Sequence, residues 1–111
     1  MQIGIYGLGK MGANMARRLA RGGAKPALLN RTLQVAQSVA EETGGRACAN
    51  EQDWLDSLDT PRIAWLMLPA GEATETAIQG LLPRLKAGDI LVNGANGYYP
   101  VSYTHLRAHE T

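Results

Sequence analysis

This sequence is short of several features that mark particular protein classes. It has a single cysteine, Cys48, among 111 residues, so no disulfide forms within the chain, and a reducing cytoplasmic location is expected. The net charge is only +1, which gives no electrostatic reason to expect binding to nucleic acid or to a membrane surface. No apolar run approaches the length of a membrane span. No leader segment is expected either, because the first residues already favour a strand.

What is present is an ordinary globular composition. Hydrophobic residues make up 45% of the chain and charged residues 19%, and these values favour a folded domain over a disordered tail. A chain of this length suffices for one domain with one modest core. Neither an internal repeat nor a low-complexity linker divides the chain.

The first dozen residues carry the most specific pattern. Residues 2–6 are mostly apolar and favour a strand, and Gly7-Leu8-Gly9-Lys10-Met11-Gly12 follows directly. A helical pattern then begins, because Met11, Met15 and Leu19 are spaced four apart. Strand, Gly-x-Gly-x-x-Gly turn and helix in this order are typical of a dinucleotide-binding site, whereas the motif outside this context is weak evidence.

Each glycine of the motif has a predicted physical role. Gly7 lets the chain leave the strand tightly, Gly9 lets a pyrophosphate approach the backbone, and Gly12 lets the helix pack closely. The helix N-terminus then presents unpaired N–H groups and a partial positive charge to the phosphates. The competing interpretation is a glycine-rich turn that binds nothing.

The rest of the chain alternates strands with helices. Apolar runs at 27–29, 46–48, 63–68 and 90–92 are predicted strands. Such alternation predicts a Rossmann-type α/β fold, a doubly wound parallel sheet with helices on both faces. Ligands bind such sheets beyond the carboxyl ends of the strands. Four turns are therefore expected at one crevice: 7–12, 30–32, 69–71 and 94–97.

Helix boundaries and faces also follow from the sequence. Thr32 and Asn50 are predicted N-caps, and Gly44-Gly45 is predicted to end the helix that Thr32 begins. In that helix, one face is predicted to be formed by Val35, Ala36, Val39 and Ala40. The helix after Asn50 is predicted to pack Trp54, Leu55 and Leu58 inward.

Two residues after the second predicted strand bear on the choice of nucleotide. An acidic residue is usual there when the cofactor is NAD, because a carboxylate accepts hydrogen bonds from the ribose hydroxyls. This chain has the neutral Asn30 followed by Arg31, and an arginine pairs with a 2′-phosphate. The pattern favours NADP, with NAD as the alternative. The competing interpretation of Arg31 is a solvated surface arginine.

Together these motifs resemble one family. Residues 3–15 resemble the opening of decarboxylating 6-phosphogluconate dehydrogenases, within the β-hydroxyacid dehydrogenase superfamily. Residues 30–32 resemble that family's NADP-contacting turn, and residues 65–71 resemble the loop beside the nicotinamide half. Residues 88–99 resemble its Gly-Asp, strand, Gly-Gly-Asn-Ser and tyrosine stretch. The resemblance covers about residues 1–100, which are the predicted NADP-binding domain.

The resemblance implies a function for the whole protein, in the pentose phosphate pathway and gluconate metabolism. The 3-hydroxyl of 6-phosphogluconate is oxidised by hydride transfer to NADP, and loss of carbon dioxide then gives ribulose 5-phosphate. In this family a following helical domain supplies the lysine base, the glutamate acid and the interface of a homodimer or larger assembly. No catalytic residue is therefore expected within this chain, which by itself should be inactive.

The resemblance also implies which residues contact the cofactor. They are Gly7, Leu8, Gly9, Lys10, Met11, Gly12, Asn30, Arg31, Thr32, Leu68, Pro69, Ala70, Gly71 and Asn96. Asn96 is also the implied substrate contact, although a turn asparagine beside Gly97 explains it equally well. Two positions depart from the pattern: Ala95 replaces the second glycine and Gly97 replaces the serine. One branch of the family carries Asp at position 30 and prefers NAD.

Two other functions stay open. Another β-hydroxyacid dehydrogenase, acting on hydroxyisobutyrate or tartronate semialdehyde, would usually show Asp-Gly-Ser-Thr where this chain has residues 94–97. A non-catalytic nucleotide-binding module would also lack a positioned base. The native DNA downstream discriminates, because a Lys-x-x-His-Asn stretch would support the enzyme.

Residues 101–111 leave the family pattern abruptly. They resemble a translated sequencing-adapter end, so a foreign or disordered tail is expected. His105 and His109 are four apart, but no third ligand accompanies them, and no metal site is expected.

Overall fold

The fold was analysed in a computed structural model that describes residues 2–69, 71–94 and 97–100. The predictions for Ala70, Asn96 and residues 101–111 therefore lie outside the described residues. The strands are β1 (Gln2–Tyr6), β2 (Lys25–Leu29), β3 (Arg46–Ala47), β4 (Ile63–Leu66), β5 (Ile90–Asn93) and β6 (Gly97–Pro100). The helices are α1 (Lys10–Arg21), α2 (Leu33–Thr43), α3 (Glu51–Asp56) and α4 (Glu72–Leu81), with a 3₁₀ turn at Leu82–Arg84.

The strands form one sheet in the order β3-β2-β1-β4-β5-β6. β1 to β5 are parallel, with Ile5 paired between Leu28 and Trp65, so the predicted doubly wound fold is confirmed. β6 was not predicted, and it runs antiparallel to β5 with Asn93 opposite Gly97. The expected turn at 94–97 is thus shorter, because Gly97 already pairs as part of a hairpin. No helix of the described segments is long and apolar enough to cross a membrane.

Alternate residues of each strand face opposite sides, which gives two apolar layers. Ile5 and Leu28 pack with α1 and α2. The other layer packs against α3 and α4, and Trp54 lies at its centre. The indole Nε1 of Trp54 donates to the carbonyl oxygen of Ala27 at 2.9 Å, which ties α3 to β2. Cys48 is fully buried here, and burial raises the pKa of its thiol.

The helix ends match most sequence predictions. Asn50 Oδ1 accepts from the N–H of Asp53 at 2.8 Å, which confirms the cap of α3, and Gly44 ends α2 with φ +72°. Thr32 lies at the N-cap of α2, but its side chain makes no capping hydrogen bond. Val35, predicted on the same face of α2 as Ala36, is 37% exposed, because it lies at the edge of that face, about 100° around the helix from the buried Ala36.

A buried carboxylate positions the start of β5. Asp89 is 1% exposed, and its oxygens accept from the N–H of Arg62 at 2.6 Å and of Lys86 at 2.8 Å. The guanidinium of Arg62 lies 3.4 Å from the same carboxylate. Asp89 therefore joins the segments that enter β4 and β5, and it satisfies two backbone donors that would otherwise be buried without partners.

We expect Asp89→Ala to destabilise the fold by about 3 kcal/mol, because it leaves two N–H groups without an acceptor and leaves the mostly buried Arg62 charge without its partner. The free energy of unfolding, measured by urea titration with circular dichroism, checks this. Asp59→Ala is the matched control, since Asp59 is exposed and its loss should change stability by under about 0.5 kcal/mol. Similar losses for both variants would contradict this role of Asp89.

Candidate functional site

A cleft of about 610 Å³ lies at the carboxyl ends of the parallel strands. The segments that follow β1, β2, β4 and β5 all contribute to it, as the sequence predicted. Its lining residues are Gly7, Leu8, Gly9, Lys10, Met11, Gly12, Asn30, Arg31, Met67, Leu68, Pro69, Ala73 and Gly94. The chain thus brings distant turns together at one edge of the sheet, where parallel α/β folds bind ligands.

Two glycines of the loop are required by packing within the protein. Gly7 has φ +103°, and a Cβ there would lie 2.7 Å from the carbonyl oxygen of Met67. A Cβ on Gly12 would overlap the carbonyl oxygen of Gly7 and lie 3.4 Å from the Cβ of Met67. The start of α1 therefore packs directly on the loop and on the chain leaving β4, as the close-packing role of Gly12 predicts.

Gly9 is different, because nothing in the protein requires a glycine there. Its φ of −67° is open to any residue, and no atom lies within 4 Å of the position that a Cβ would occupy. Gly9 itself lines the cleft. A bare backbone at Gly9 therefore has its physical reason in what approaches from the cleft, not in the fold.

The N-terminus of α1 opens into the cleft without a cap. Gly9 offers no capping side chain, and the first turn carries no acidic residue. The first helical bond runs from the N–H of Ala13 to the carbonyl of Gly9 at 2.9 Å, so the N–H groups of residues 10–12 precede it. These donors and the positive end of the helix dipole favour an anion at this point.

Asn30 links the glycine loop to the turn after β2. Its Oδ1 accepts from the N–H of Leu8 at 2.9 Å, and its Nδ2 donates to the carbonyl oxygen of Thr32 at 3.2 Å. The amide therefore serves the protein itself, a role that the sequence did not reveal. The same bond occupies the N–H of Leu8, so Leu8 contributes the wall of the cleft and no free backbone donor.

The charge in the cleft is of one sign. Lys10 and Arg31 are its charged lining residues, both exposed. Neither forms a salt bridge with any carboxylate in the described part of the chain. Met11, also at the rim, is 72% exposed, although it continues an apolar stripe of α1. Two cations on different loops, without ion-pair partners among the described residues, suit a ligand that carries negative charge at two points.

Most predicted site residues meet in this cleft. Residues 7–12, Asn30, Arg31, Leu68 and Pro69 line it, but Thr32 and Gly71 do not. Thr32 lies in a separate groove between α1 and α2. Met67, Ala73 and Gly94 line the cleft without having been predicted as ligand contacts. Gly94 belongs to the turn at 94–97 that was expected at the crevice, and Met67 belongs to the stretch 65–71 that resembles the loop beside the nicotinamide half, whereas Ala73 has no mark in the sequence.

Metal ligands are not part of this arrangement. Over residues 2–69, 71–94 and 97–100, no group of three or more His, Cys, Asp or Glu side chains comes together to hold an ion. His105 and His109 lie outside these segments. The described site therefore rests on backbone donors, two cations and apolar walls.

Comparison with known proteins decides the family. A family profile described as the NAD binding domain of 6-phosphogluconate dehydrogenase matches residues 2–110. The chain belongs to this family. It is therefore a domain that binds a nicotinamide dinucleotide, and the predicted resemblance and fold are both confirmed.

Relatives of both cofactor types are similar to this domain. The NADP(+)-dependent decarboxylating 6-phosphogluconate dehydrogenase of Bacillus subtilis is 38% identical over 101 residues, which are 88% of this chain and 22% of that protein. The NAD(+)-dependent enzyme of the same organism is 34% identical over 100 residues, or 87% and 21% of the two chains. This chain thus spans about a fifth of the length of these curated relatives.

A solved structure shares the fold of this dinucleotide-binding domain. The 6-phosphogluconate dehydrogenase of Plasmodium falciparum, described without ligand, with its cofactor NADP+ and with its substrate 6-phosphogluconate, matches with a TM-score of 0.77. The sequences are 25% identical, and the match covers 85% of this chain and 21% of that chain.

We expect Gly9→Ala to separate binding from folding. The methyl group has room in the free protein, so the free energy of unfolding should stay within about 0.5 kcal/mol. The same methyl group should weaken dinucleotide binding by about tenfold or more, because it stands where the pyrophosphate approaches the backbone. Calorimetric titration with NADPH and urea unfolding check the two parts.

Gly22→Ala is the control for that substitution. Gly22 lies at the far end of α1 with φ −84°, and a Cβ there would meet the carbonyl oxygen of Leu19 at an ordinary 3.5 Å. This variant should keep both stability and affinity. Unchanged affinity in Gly9→Ala would show that no ligand passes close to the loop.

Proposed function

We propose that residues 1–100 form the NADP-binding domain of a decarboxylating 6-phosphogluconate dehydrogenase. The observation that carries the NADP preference is the turn after β2, where Asn30 and Arg31 stand in place of an acidic residue. Arg31 lines the cleft and has no carboxylate partner among the described residues. A guanidinium there offers two parallel hydrogen bonds to a 2′-phosphate.

In the proposed pose, the negatively charged phosphates of the dinucleotide lie at the positive groups of the cleft. The pyrophosphate lies over Gly9 and the free N–H groups at the start of α1, with the ammonium of Lys10 beside it. The 2′-phosphate lies one strand away at Arg31, with Thr32 at the edge of the same turn. Each well-made hydrogen bond to a charged group contributes about 1.5–3 kcal/mol, enough to decide between two dinucleotides that differ by one phosphate.

The nicotinamide half is proposed to lie toward the exits of β4 and β5. Leu68, Pro69, Ala70 and Gly71 are its proposed neighbours on the β4 side, and Asn96 is the proposed contact to both nicotinamide and substrate. When bound, the dinucleotide accepts the hydride. The residues of this chain hold it so that one face of the ring meets the substrate, and their apolar side chains exclude water from that face.

The whole protein is proposed to oxidise the 3-hydroxyl of 6-phosphogluconate. The hydride passes from C3 to the nicotinamide and the hydroxyl proton passes to a base. The resulting 3-keto acid loses its carboxylate as carbon dioxide, which gives ribulose 5-phosphate. The base, the acid and the interface of a homodimer or larger assembly are proposed to come from the helical domain that follows in this family. The chain alone is proposed to bind the cofactor without turnover.

We expect Arg31→Ala to weaken NADPH binding by roughly ten- to hundredfold while NADH binding changes by less than about twofold. The reason is that only NADPH carries the phosphate that the guanidinium would pair with. Calorimetric titration with each dinucleotide checks it, and Arg18→Ala, which removes an exposed arginine of α1, is the control. Equal losses for the two dinucleotides would overturn the assignment of Arg31 to the 2′-phosphate.

We expect Asn30→Asp to shift the preference from NADPH toward NADH. An aspartate keeps an acceptor for the N–H of Leu8 but loses the donor to the carbonyl of Thr32 and adds a charge that repels a 2′-phosphate. The dissociation constant for NADH divided by that for NADPH should fall by about tenfold or more. An unchanged ratio would show that the residue at this position does not face the adenosine ribose.

A further inference from the structure

A second pocket of about 560 Å³ adjoins the cleft on the far side of Arg31. Asn30 and Arg31 line both spaces, so the two meet at the turn after β2. The pocket lies beyond the ends of β1, β2 and β3, next to the start of α3. A dinucleotide whose 2′-phosphate meets Arg31 has its base within reach of this pocket, because base and 2′-oxygen are attached to adjacent ribose carbons.

A charged pair forms one wall of that pocket. The guanidinium of Arg84 donates to Glu51 Oε1 at 2.7 Å and its Nε donates to the carbonyl of Gly80 at 3.1 Å. The two side chains are 35% and 28% exposed, so each still presents part of its polar end to the pocket. Glu51 starts α3 and Arg84 follows α4, which fixes the pair between two helices.

Part of the remaining polar lining of the pocket is already engaged. Asn30 Oδ1 accepts from the N–H of Leu8 and Asn50 Oδ1 from the N–H of Asp53, and Gln52 donates to Asp56 at 2.9 Å. Asp53 turns away toward the N–H of Ala49 at 2.9 Å. Within this lining, Glu51 and Arg84 place a charged acceptor directly beside a charged donor.

Tyr6 is an aromatic residue in the same lining as Glu51. Its ring packs edge-on against Trp54 with the centroids 5.6 Å apart. Burial and the neighbouring Glu51 carboxylate both raise the pKa of Tyr6, so its hydroxyl stays protonated beside that carboxylate. A carboxylate has about four acceptor positions, so the bond from Arg84 leaves Glu51 with capacity for a further donor.

The chemistry of the pair discriminates among ligands. A phosphate is disfavoured because the carboxylate of Glu51 would repel it. An adenine edge fits, because its exocyclic amine donates to a carboxylate and the adjacent ring nitrogen accepts from a guanidinium. Hypoxanthine, which has an oxygen in place of the amine, would bring an acceptor against an acceptor.

We propose that Glu51 and Arg84 read the base of the dinucleotide and select adenine by its amino edge. This proposal rests on the proposed function, since it requires an adenosine 2′-phosphate held at Arg31. It adds two specificity residues that lie outside the glycine loop and outside the turn after β2. Glu51 provides the discriminating acceptor, and Arg84 both orients it and supplies the complementary donor.

Calorimetric titration of the 111-residue chain with NADP and with its hypoxanthine analogue tests this. The unaltered protein should bind NADP about tenfold more tightly, since a matched pair of hydrogen bonds to a base edge discriminates by that order. Glu51→Gln should reduce the ratio to within about twofold, because an amide can turn either its oxygen or its NH₂ toward the base. Glu42→Gln, which breaks the exposed pair with Arg17 outside the cleft, should keep the full ratio.

The outcomes separate the two proposals. Equal binding of both dinucleotides by the unaltered protein would overturn the base-reading role and leave the NADP-binding function intact. Failure to bind either dinucleotide would overturn both. A ratio that persists in Glu51→Gln would show that another group reads the base, and a ratio lost equally in Glu42→Gln would show a general effect of removing a carboxylate. The comparison in the unaltered protein needs no variant to fold.

Discussion

The close approach of α1 to the glycine loop is the constraint on which this structure depends. A side chain at Gly12 would overlap the carbonyl of Gly7, and one at Gly7 would strike the chain leaving β4. Because neither glycine carries a side chain, the uncapped end of the helix lies directly over the junction of β1 and β4. The oriented amides, the depth of the cleft and the access of an anion to the backbone all follow from that contact.

A second set of interactions assembles the rest of the cleft around this contact. The Asn30 amide joins the loop to the turn that carries Arg31, and the buried Asp89 sets the entry to β5. Neither residue needs to touch the cofactor in order to matter. The described walls contain Lys10 and Arg31 but no carboxylate, so the electrostatic field favours an anion over the whole length from the helix to the turn.

The fold and most of the cleft were predictable because their signals are local. The Gly-x-Gly-x-x-Gly motif indicates a strand, turn and helix at its own position, and each apolar run of strand length indicates a strand. Asn30 was expected at the cleft and lines it, but its partners Leu8 and Thr32 depend on how two loops meet. β6 was not predicted, because its antiparallel pairing with β5 depends on how the chain reverses direction between the two strands. The Glu51–Arg84 pair joins residues 33 positions apart, and no short pattern announces it.

The position of Trp54 gives the domain an internal optical probe. Its indole is buried and anchored to Ala27, and one ring contact connects it to Tyr6 beneath the second pocket. Reduced nicotinamide absorbs light at the wavelengths where indoles emit, so a dihydronicotinamide in the adjoining cleft would quench this emission by energy transfer. The packing that stabilises one face of the sheet thereby couples cofactor occupancy to the intrinsic fluorescence of the protein.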